Sequence, residues 1–178
     1  MDVELGNTFG EEVYDYFEQE YIDSMLPNEV AKIGTWTKRM LSILEGMGKK
    51  LGYSVSIEKP IRVDMAWFDR RYFEPQIVIE YESDKKGVLD SELLNLAYSS
   101  ARLKVLITFI EEREIEHFLS EITRRWKTRS ARVWNDELLV IFCIYTLETG
   151  KRFQYFIGHL FYFLEAKLVT KELKQILA

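Results

Sequence analysis

The sequence predicts an α/β fold in which helices cover both faces of a mixed central sheet. Three observations point there. Apolar residues alternate between the helical 3.6-residue spacing and short β-branched runs, the first three runs are consecutive, and two later runs are apolar on both sides. With 178 residues, 47% of them hydrophobic, the chain is long enough for one sizeable core. Three Pro, nine Gly and one Cys exclude a disordered, collagen-like or disulfide-stapled chain.

Val13, Phe17, Tyr21 and Met25 repeat every four residues from Glu11 to Met25, with Tyr14 and Ile22 alongside, and draw one face of a helix. Pro27 and Asn28 end it. Asn28 is a suitable N-cap for a second helix to about Lys50, in which Val30, Ile33, Leu41, Leu44 and Met47 keep the period. Trp36, Met40 and Met47 on that helix read as core or interface. After Leu51-Gly52, the segments Tyr53 to Ile61, Arg62 to Phe68 and Gln76 to Tyr81 read as an antiparallel meander. Asp69-Arg70-Arg71 and Glu74-Pro75 turn the chain between the last two.

Asp90 is the N-cap of a helix that carries Leu93, Leu96, Ala97 and Ala101 and ends at Leu103. Lys104 to Ile110 is β-branched and apolar on both faces, as a covered strand is. An amphipathic helix from Glu112 to about Lys127 turns Ile115, Phe118, Leu119 and Ile122 inward. Leu138 to Tyr145 is a second covered strand, and Thr149-Gly150 leads into a strand from Arg152 to Ile157. The spacing of Leu164, Leu168, Leu173 and Ile176 favours a closing helix. The order is α-α-β-β-β-α-β-α-β-β-α, with no internal repeat or linker. Residues 1–27 are expected as an acidic helix packed on a single domain of residues 28–178.

Charge is uneven. Residues 1–31 hold nine of the 29 acidic residues and none of the 24 basic ones, so residues 32–178 carry 24 basic against 20 acidic residues, a body of +4 inside a net charge of −5. A mildly basic body suits nucleic-acid contact. The acidic arm is expected to lie away from a phosphate backbone, or to cover the basic surface when no ligand is bound. The acidic start, Met1 to Glu12, has the wrong charge for a targeting segment, and the eight-residue run Leu138 to Tyr145 is far short of the about 20 residues that span a bilayer. A soluble cytoplasmic protein with no membrane partner is expected. Cys143, inside that run, reads as a small buried hydrophobe, and two distant His exclude a Cys/His zinc site.

Three carboxylates stand where strands should be buried. Asp64 lies within Arg62-Val-Asp-Met-Ala-Trp67, and Glu80 and Glu82 lie at the end of Ile77-Val-Ile-Glu-Tyr-Glu82. Unpaired, such groups are costly enough to be neutralised or removed, so a cation is expected beside them. Glu80 and Glu82 project from one face about 6–7 Å apart along the strand, and a loop of ordinary length around Arg70 to Pro75 suffices to bring Asp64 beside Glu80. Hard oxygen donors without imidazole or thiolate select Mg²⁺ or Mn²⁺, and phosphodiester hydrolysis is the chemistry that such an ion serves.

These residues, in this element order, resemble the PD-(D/E)xK nuclease superfamily of restriction-endonuclease-like fold, in an ExE version. The resemblance covers residues 28–110 and implies an αβββαβ core, with Val63-Asp64 in the place of the family's first acid and Glu80-Tyr81-Glu82 in the place of its (D/E)xK. It implies a metal-dependent DNA endonuclease with Asp64 and Glu80 as metal ligands, and the main-chain carbonyl of Tyr81 completing the shell. Glu82, standing for the family's Lys, would bind a second metal or accept a proton from the attacking water. Lys104 or Lys85 would supply a Lys if one is required, and Glu29 and Glu45 are candidates for the family's acid on the first core helix. Tyr98, three residues after Asn95, is similar to the Gln-and-Tyr helix motif of RecB-like members. The alternative is a catalytically inactive member of the fold that serves as a nucleic-acid-binding or protein-interaction module.

Arg124, Arg125, Lys127, Arg129 and Arg132 surround Trp126, with Trp134 close by. Arginines at a helix end suit phosphate oxygens, and the indole suits stacking on an unpaired base. Arg70 and Arg71 read as a smaller positive spot in the turn beside the site, and Lys85 and Lys86 follow the third strand closely enough to meet the phosphates of the scissile DNA strand. A homodimer is expected, with the aromatic segment Phe153, Tyr155, Phe156, Phe161, Tyr162 and Phe163 as its candidate interface. His117 and His159 take no role.

Overall fold

The computed structural model describes residues 8–24, 33–57, 63–71, 73–82, 84–129, 136–146, 152–164 and 167–177. The helix α1 (Phe9–Ser24) and the helix α2 (Ile33–Lys50) precede three strands, β1 (Ser54–Ile57), β2 (Met65–Phe68) and β3 (Pro75–Glu82). A short helical turn α3 (Lys85–Gly87), a π-helical turn (Val88–Glu92) and α4 (Leu93–Tyr98) lead to β4 (Leu103–Glu111). A 3-10 turn (Glu112–Glu114) and α5 (Ile115–Arg129) lead to β5 (Glu137–Thr146), β6 (Arg152–Leu164) and β7 (Lys167–Leu177). Asn28, Glu29, Arg132, Trp134, the Thr149-Gly150 turn and the stretch 58–62 lie outside the described residues, as do the side chains of Trp36, Lys85, Arg129 and Phe153.

The seven strands form one mixed sheet in sequence order. The pairs β1–β2 and β2–β3 are antiparallel, β3–β4 and β4–β5 are parallel, and β5–β6 and β6–β7 are antiparallel. The run from α2 to β4 therefore has the expected αβββαβ order, and the sheet has helices on both faces. Strand alternation sorts the core into two halves. Leu103, Val105, Ile107 and Phe109 of β4 join the cluster under α1 and α2, while Leu106 and Ile110 join the one under α4 and α5. That division is why Lys104 to Ile110 reads as apolar on both sides. Cys143 is fully buried. Among the described residues, no helix is long and apolar enough to cross a membrane.

A capping box opens α1. The Thr8 backbone N–H donates to Glu11 Oε2 at 2.8 Å, and the Glu11 N–H donates back to Thr8 Oγ1 at 3.3 Å. Glu137 of β5 adds a further cap by accepting the Gly10 N–H at 2.6 Å. The inner face of α1 lays Phe17 and Tyr21 edge-on against Phe156, with ring centroids 5.3 and 4.5 Å away. Four of its acids are paired within the chain. Glu11 pairs with Lys171, Asp15 and Glu18 with Lys174, and Glu20 with Lys50.

Several elements differ from the sequence expectation. The closing helix is absent, because the end of the chain continues β6 to Leu164 and returns as β7. Leu168 packs in one half-core and Leu173 and Ile176 in the other, so a spacing that mimics a helix face serves the two sides of a strand. The aromatic segment is not free to form a dimer interface as a whole: Phe156 and Phe161 are fully buried on opposite faces of the sheet. The helix after β3 begins at Lys85, five residues before Asp90, and contains the π turn. Asp64 does not lie in a strand; it stands at the bend immediately before β2.

Candidate functional site

On β3, Ile77, Ile79 and Tyr81 face the α1 and α2 side, which turns Val78, Glu80 and Glu82 toward α4. Glu80 is only 3% exposed. The register Met65↔Ile79 places Asp64 across from the Glu80-Tyr81 peptide. The Tyr81 N–H donates to Asp64 Oδ2 at 2.8 Å, and the Asp64 N–H donates to Glu80 Oε2 at 3.3 Å. Sequence reasoning brought these two acids together, and so does the structure.

Two residues that sequence reasoning passed over as site members complete the group. The Asn95 amide lies 3.4 Å from Glu80 Oε1 and 3.2 Å from Glu92 Oε2, bridging the two carboxyl groups. Glu92 and Asn95 stand three apart in sequence, but that spacing does not show which face of the helix meets β3. Burial, above all, pushes the Glu80 carboxyl up to about 9, helped by a hydrogen bond and charge from Glu92 and by the charge of Asp64. The Asp64 N–H offsets only part of this. The protonated form of Glu80 is therefore favoured at neutral pH, and its carboxyl is hydrogen-bonded to Glu92.

Glu82 is on the same face but turned aside. Its Oε1 accepts the Asp84 N–H at 2.7 Å, and its side chain lies so close to Gly87 that a Cβ there would stand 3.3 Å from it. A side chain at Gly87 would need Glu82 to shift by a few tenths of an ångström.

The basic residues divide differently from expectation. Lys104 does not supplement the site. It is wholly buried, donating to the Ala101 carbonyl at 2.6 Å and paired with Asp136. Arg70 and Arg71 are not beside the acids, because the β2–β3 turn caps the opposite end of the hairpin. The five residues from Pro75 to Glu80 span about 16 Å, and Arg71 pairs with Asp69 at 2.8 Å. Arg124 pairs with Glu121 at 2.7 Å. Arg125 is also engaged, donating to the Leu89 carbonyl at 2.6 Å. Trp126 cannot stack on a base, since it is fully buried in the core with Phe118 and Ile122. Lys127 and Lys86 are exposed, and Lys86 stands on the helical turn directly after β3. Glu45 pairs with Lys49 on α2, which packs on the other face of the sheet from Glu80. Asn95 reaches the acids, whereas Tyr98 is 83% exposed.

Among the described residues, no three His, Cys, Asp or Glu side chains stand already arranged to hold a metal ion. The donor set nonetheless fits a hard divalent cation in kind. Its acidic members offer carboxylate oxygens, and the buried one has two acids and no cation among the described residues that shift it.

Fold and site together define a mixed α/β chain with an αβββαβ core and a buried carboxyl group near the C-terminal end of its third strand. No protein-family model matches this chain, and no curated protein matches it. Among solved structures it is similar to the central domain of yeast acetyl-CoA carboxylase, with 13% identity and a TM-score of 0.40 over 70% of this chain. It spans only 22% of that chain. It is also similar to free BglII, a restriction endonuclease, with 10% identity and a TM-score of 0.36 over 90% of this chain and 91% of that one. At these scores neither likeness bears on the chemistry, which rests on the side chains just described.

Proposed function

We propose that this chain is a divalent-metal-dependent deoxyribonuclease, centred on Asp64 and Glu80. The single observation that carries the reading is the crowding of Glu80 by Glu92 and Asp64 in a buried position, with no cation among the described residues that shift it. Like charges at such a place raise the energy of the ionised site, and a hard cation is what relieves it. Asp64, Glu80 and the Tyr81 carbonyl would hold Mg²⁺ or Mn²⁺, with Glu82 able to join once it leaves the Asp84 N–H. When bound, the ion would supply an activated water and stabilise the charge that builds on a phosphodiester.

The chain's own groups do the rest. The Asn95 amide orients the Glu80 carboxyl, and the Tyr81 N–H fixes Asp64. Glu82 would accept a proton at the edge of the site once released from the Asp84 N–H. Lys86, and Lys85 beside it, follow β3 directly and would meet DNA phosphates. Lys127, with Arg129, would contribute to the same electrostatic field from α5. One small catalytic unit cuts one strand, so a homodimer is the assembly for double-strand cleavage, and light scattering at working concentration measures it.

The opposing reading, an inactive nucleic-acid-binding or protein-interaction module, draws on the Glu82 carboxylate that caps the Asp84 N–H instead of facing Glu80. Incubation with linear, single-stranded and branched DNA in Mg²⁺ or Mn²⁺, beside Asp64→Ala and Glu80→Ala, separates the two. Cleavage that needs the metal and is lost in both variants supports the nuclease. Binding without cleavage, or cleavage that survives both substitutions, removes it.

A further inference from the structure

Thr108 of β4 is 1% exposed, and its hydroxyl oxygen has no hydrogen-bond partner among the described residues. Buried hydroxyls are nearly always bonded, so each exception has a cause to be found. Strand alternation puts Thr108, between Leu106 and Ile110, on the sheet face that carries Glu80 and Glu82. Its neighbours on that face are Leu106 and Ile110 along the strand, Phe142 across on β5 and Glu82 across on β3. Of these, only Glu82 offers a hydrogen-bond acceptor in its side chain.

The Glu82 carboxylate is turned the other way, accepting the N–H of the exposed Asp84 at 2.7 Å. The register sets Glu82 and Thr108 side by side on strands about 4.8 Å apart, so a change of rotamer brings the carboxylate within reach of the hydroxyl. Gly87 leaves the path open, since a Cβ there would stand 3.3 Å from Cγ, Cδ and Oε2 of Glu82. The two arrangements oppose each other in energy. Facing outward, the carboxylate keeps its water while a buried hydroxyl goes unsatisfied; facing inward, the hydroxyl is satisfied and the carboxylate loses water.

We propose that the Glu82 carboxylate exchanges between two seats, the Asp84 N–H and the Thr108 hydroxyl, and that Thr108 is the positioning residue that draws it back over the sheet face of Glu80. The exchange belongs to the chain by itself, with no ligand bound. Its consequence, the placing of Glu82 as proton acceptor, rests on the nuclease reading above.

The test is the NMR position of the Asp84 amide proton in the full chain with chelator present, compared among wild type, Thr108→Val, Thr108→Ser and Glu82→Ala. Valine keeps the shape and strand preference of threonine without the hydroxyl, and serine keeps the hydroxyl. Thr108→Val leaves Glu82 only the outward seat, so the Asp84 proton should move downfield, while Glu82→Ala marks the unbonded end. Wild type and Thr108→Ser are expected between the two. Coincidence of wild type with Thr108→Val overturns the proposal, because the hydroxyl is then served by water or by nothing. So does a Thr108→Ser shift equal to that of Thr108→Val, which would belong to packing and not to the hydroxyl. In DNA cleavage, Thr108→Val should lower kcat by about 100-fold, the scale of a misplaced catalytic group, with KM unchanged, and Thr108→Ser should restore it. Unchanged kcat in Thr108→Val removes the positioning role. A wild type that cleaves no DNA ends the nuclease reading and leaves the two seats to the amide shifts, whereas coincident shifts in a wild type that cleaves end only the role of Thr108.

Discussion

Asp64 and Glu80 are tied together by the backbone between them: Asp64 accepts the Tyr81 N–H at 2.8 Å, and its own N–H donates to Glu80 at 3.3 Å. The hairpin register sets the two positions, and each bond joins a backbone N–H to a carboxyl oxygen, an acceptor that the isosteres Asn and Gln keep. Asp64→Asn and Glu80→Gln are expected to leave the fold intact while metal-dependent DNA cleavage drops by at least about 100-fold, on the scale of lost electrostatic stabilisation at an active site. Initial rates in Mn²⁺ check this against circular dichroism of the same samples.

The proton on Glu80 gives a signed pH dependence. The folded carboxyl holds its proton to about 9, whereas the unfolded one releases it near the ordinary value of 4.5. Between those values the folded chain binds more protons, so stability without metal falls as pH rises through that window and levels off above it. Glu80→Gln removes this contribution. Chemical denaturation in chelator at intervals from pH 5 to about 9 should show the wild-type slope and a flatter variant.

Metal uptake carries the same linkage with opposite sense. A cation displaces the proton of Glu80, so Mn²⁺ affinity should rise with pH below about 9 and binding should release about one proton. Calorimetric titration in two buffers of different ionisation enthalpy counts that proton.

Lys104 and Asp136 form a buried pair with no part in the site. Burial lowers the lysine and raises the aspartate, so desolvation opposes the charges on both sides. Lys104→Met leaves Asp136 without its partner and should cost about 3–5 kcal/mol, while the double change Lys104→Met with Asp136→Leu should cost less than either single one. Urea midpoints of the three variants decide it.

On the other face, Gly158 lets α1 approach β6. A Cβ there would stand 2.8 Å from the Tyr14 ring. Gly158→Ala should destabilise by about 1–3 kcal/mol through overpacking, and hydrogen exchange should show the loss first in the amides of Phe9–Ser24.

The sequence alone determined the αβββαβ order, the covered strands at Lys104–Ile110 and Leu138–Tyr145, and the pairing of Asp64 with Glu80, because periodicity and a conspicuous buried charge are local signals. It did not determine the last strand. Leu164, Leu168, Leu173 and Ile176 fit a helix face, yet Leu164 ends β6 and the other three lie on the two sides of β7, and only the pairing with β6 settles which pattern is used. Tertiary structure alone decided which cations are available, since whether an arginine or lysine is free depends on partners far away in the chain: Asp136 takes Lys104, and the Leu89 carbonyl takes Arg125. It also decided the place of Glu92, because a π turn shifts a helix face by one residue and leaves no mark in composition.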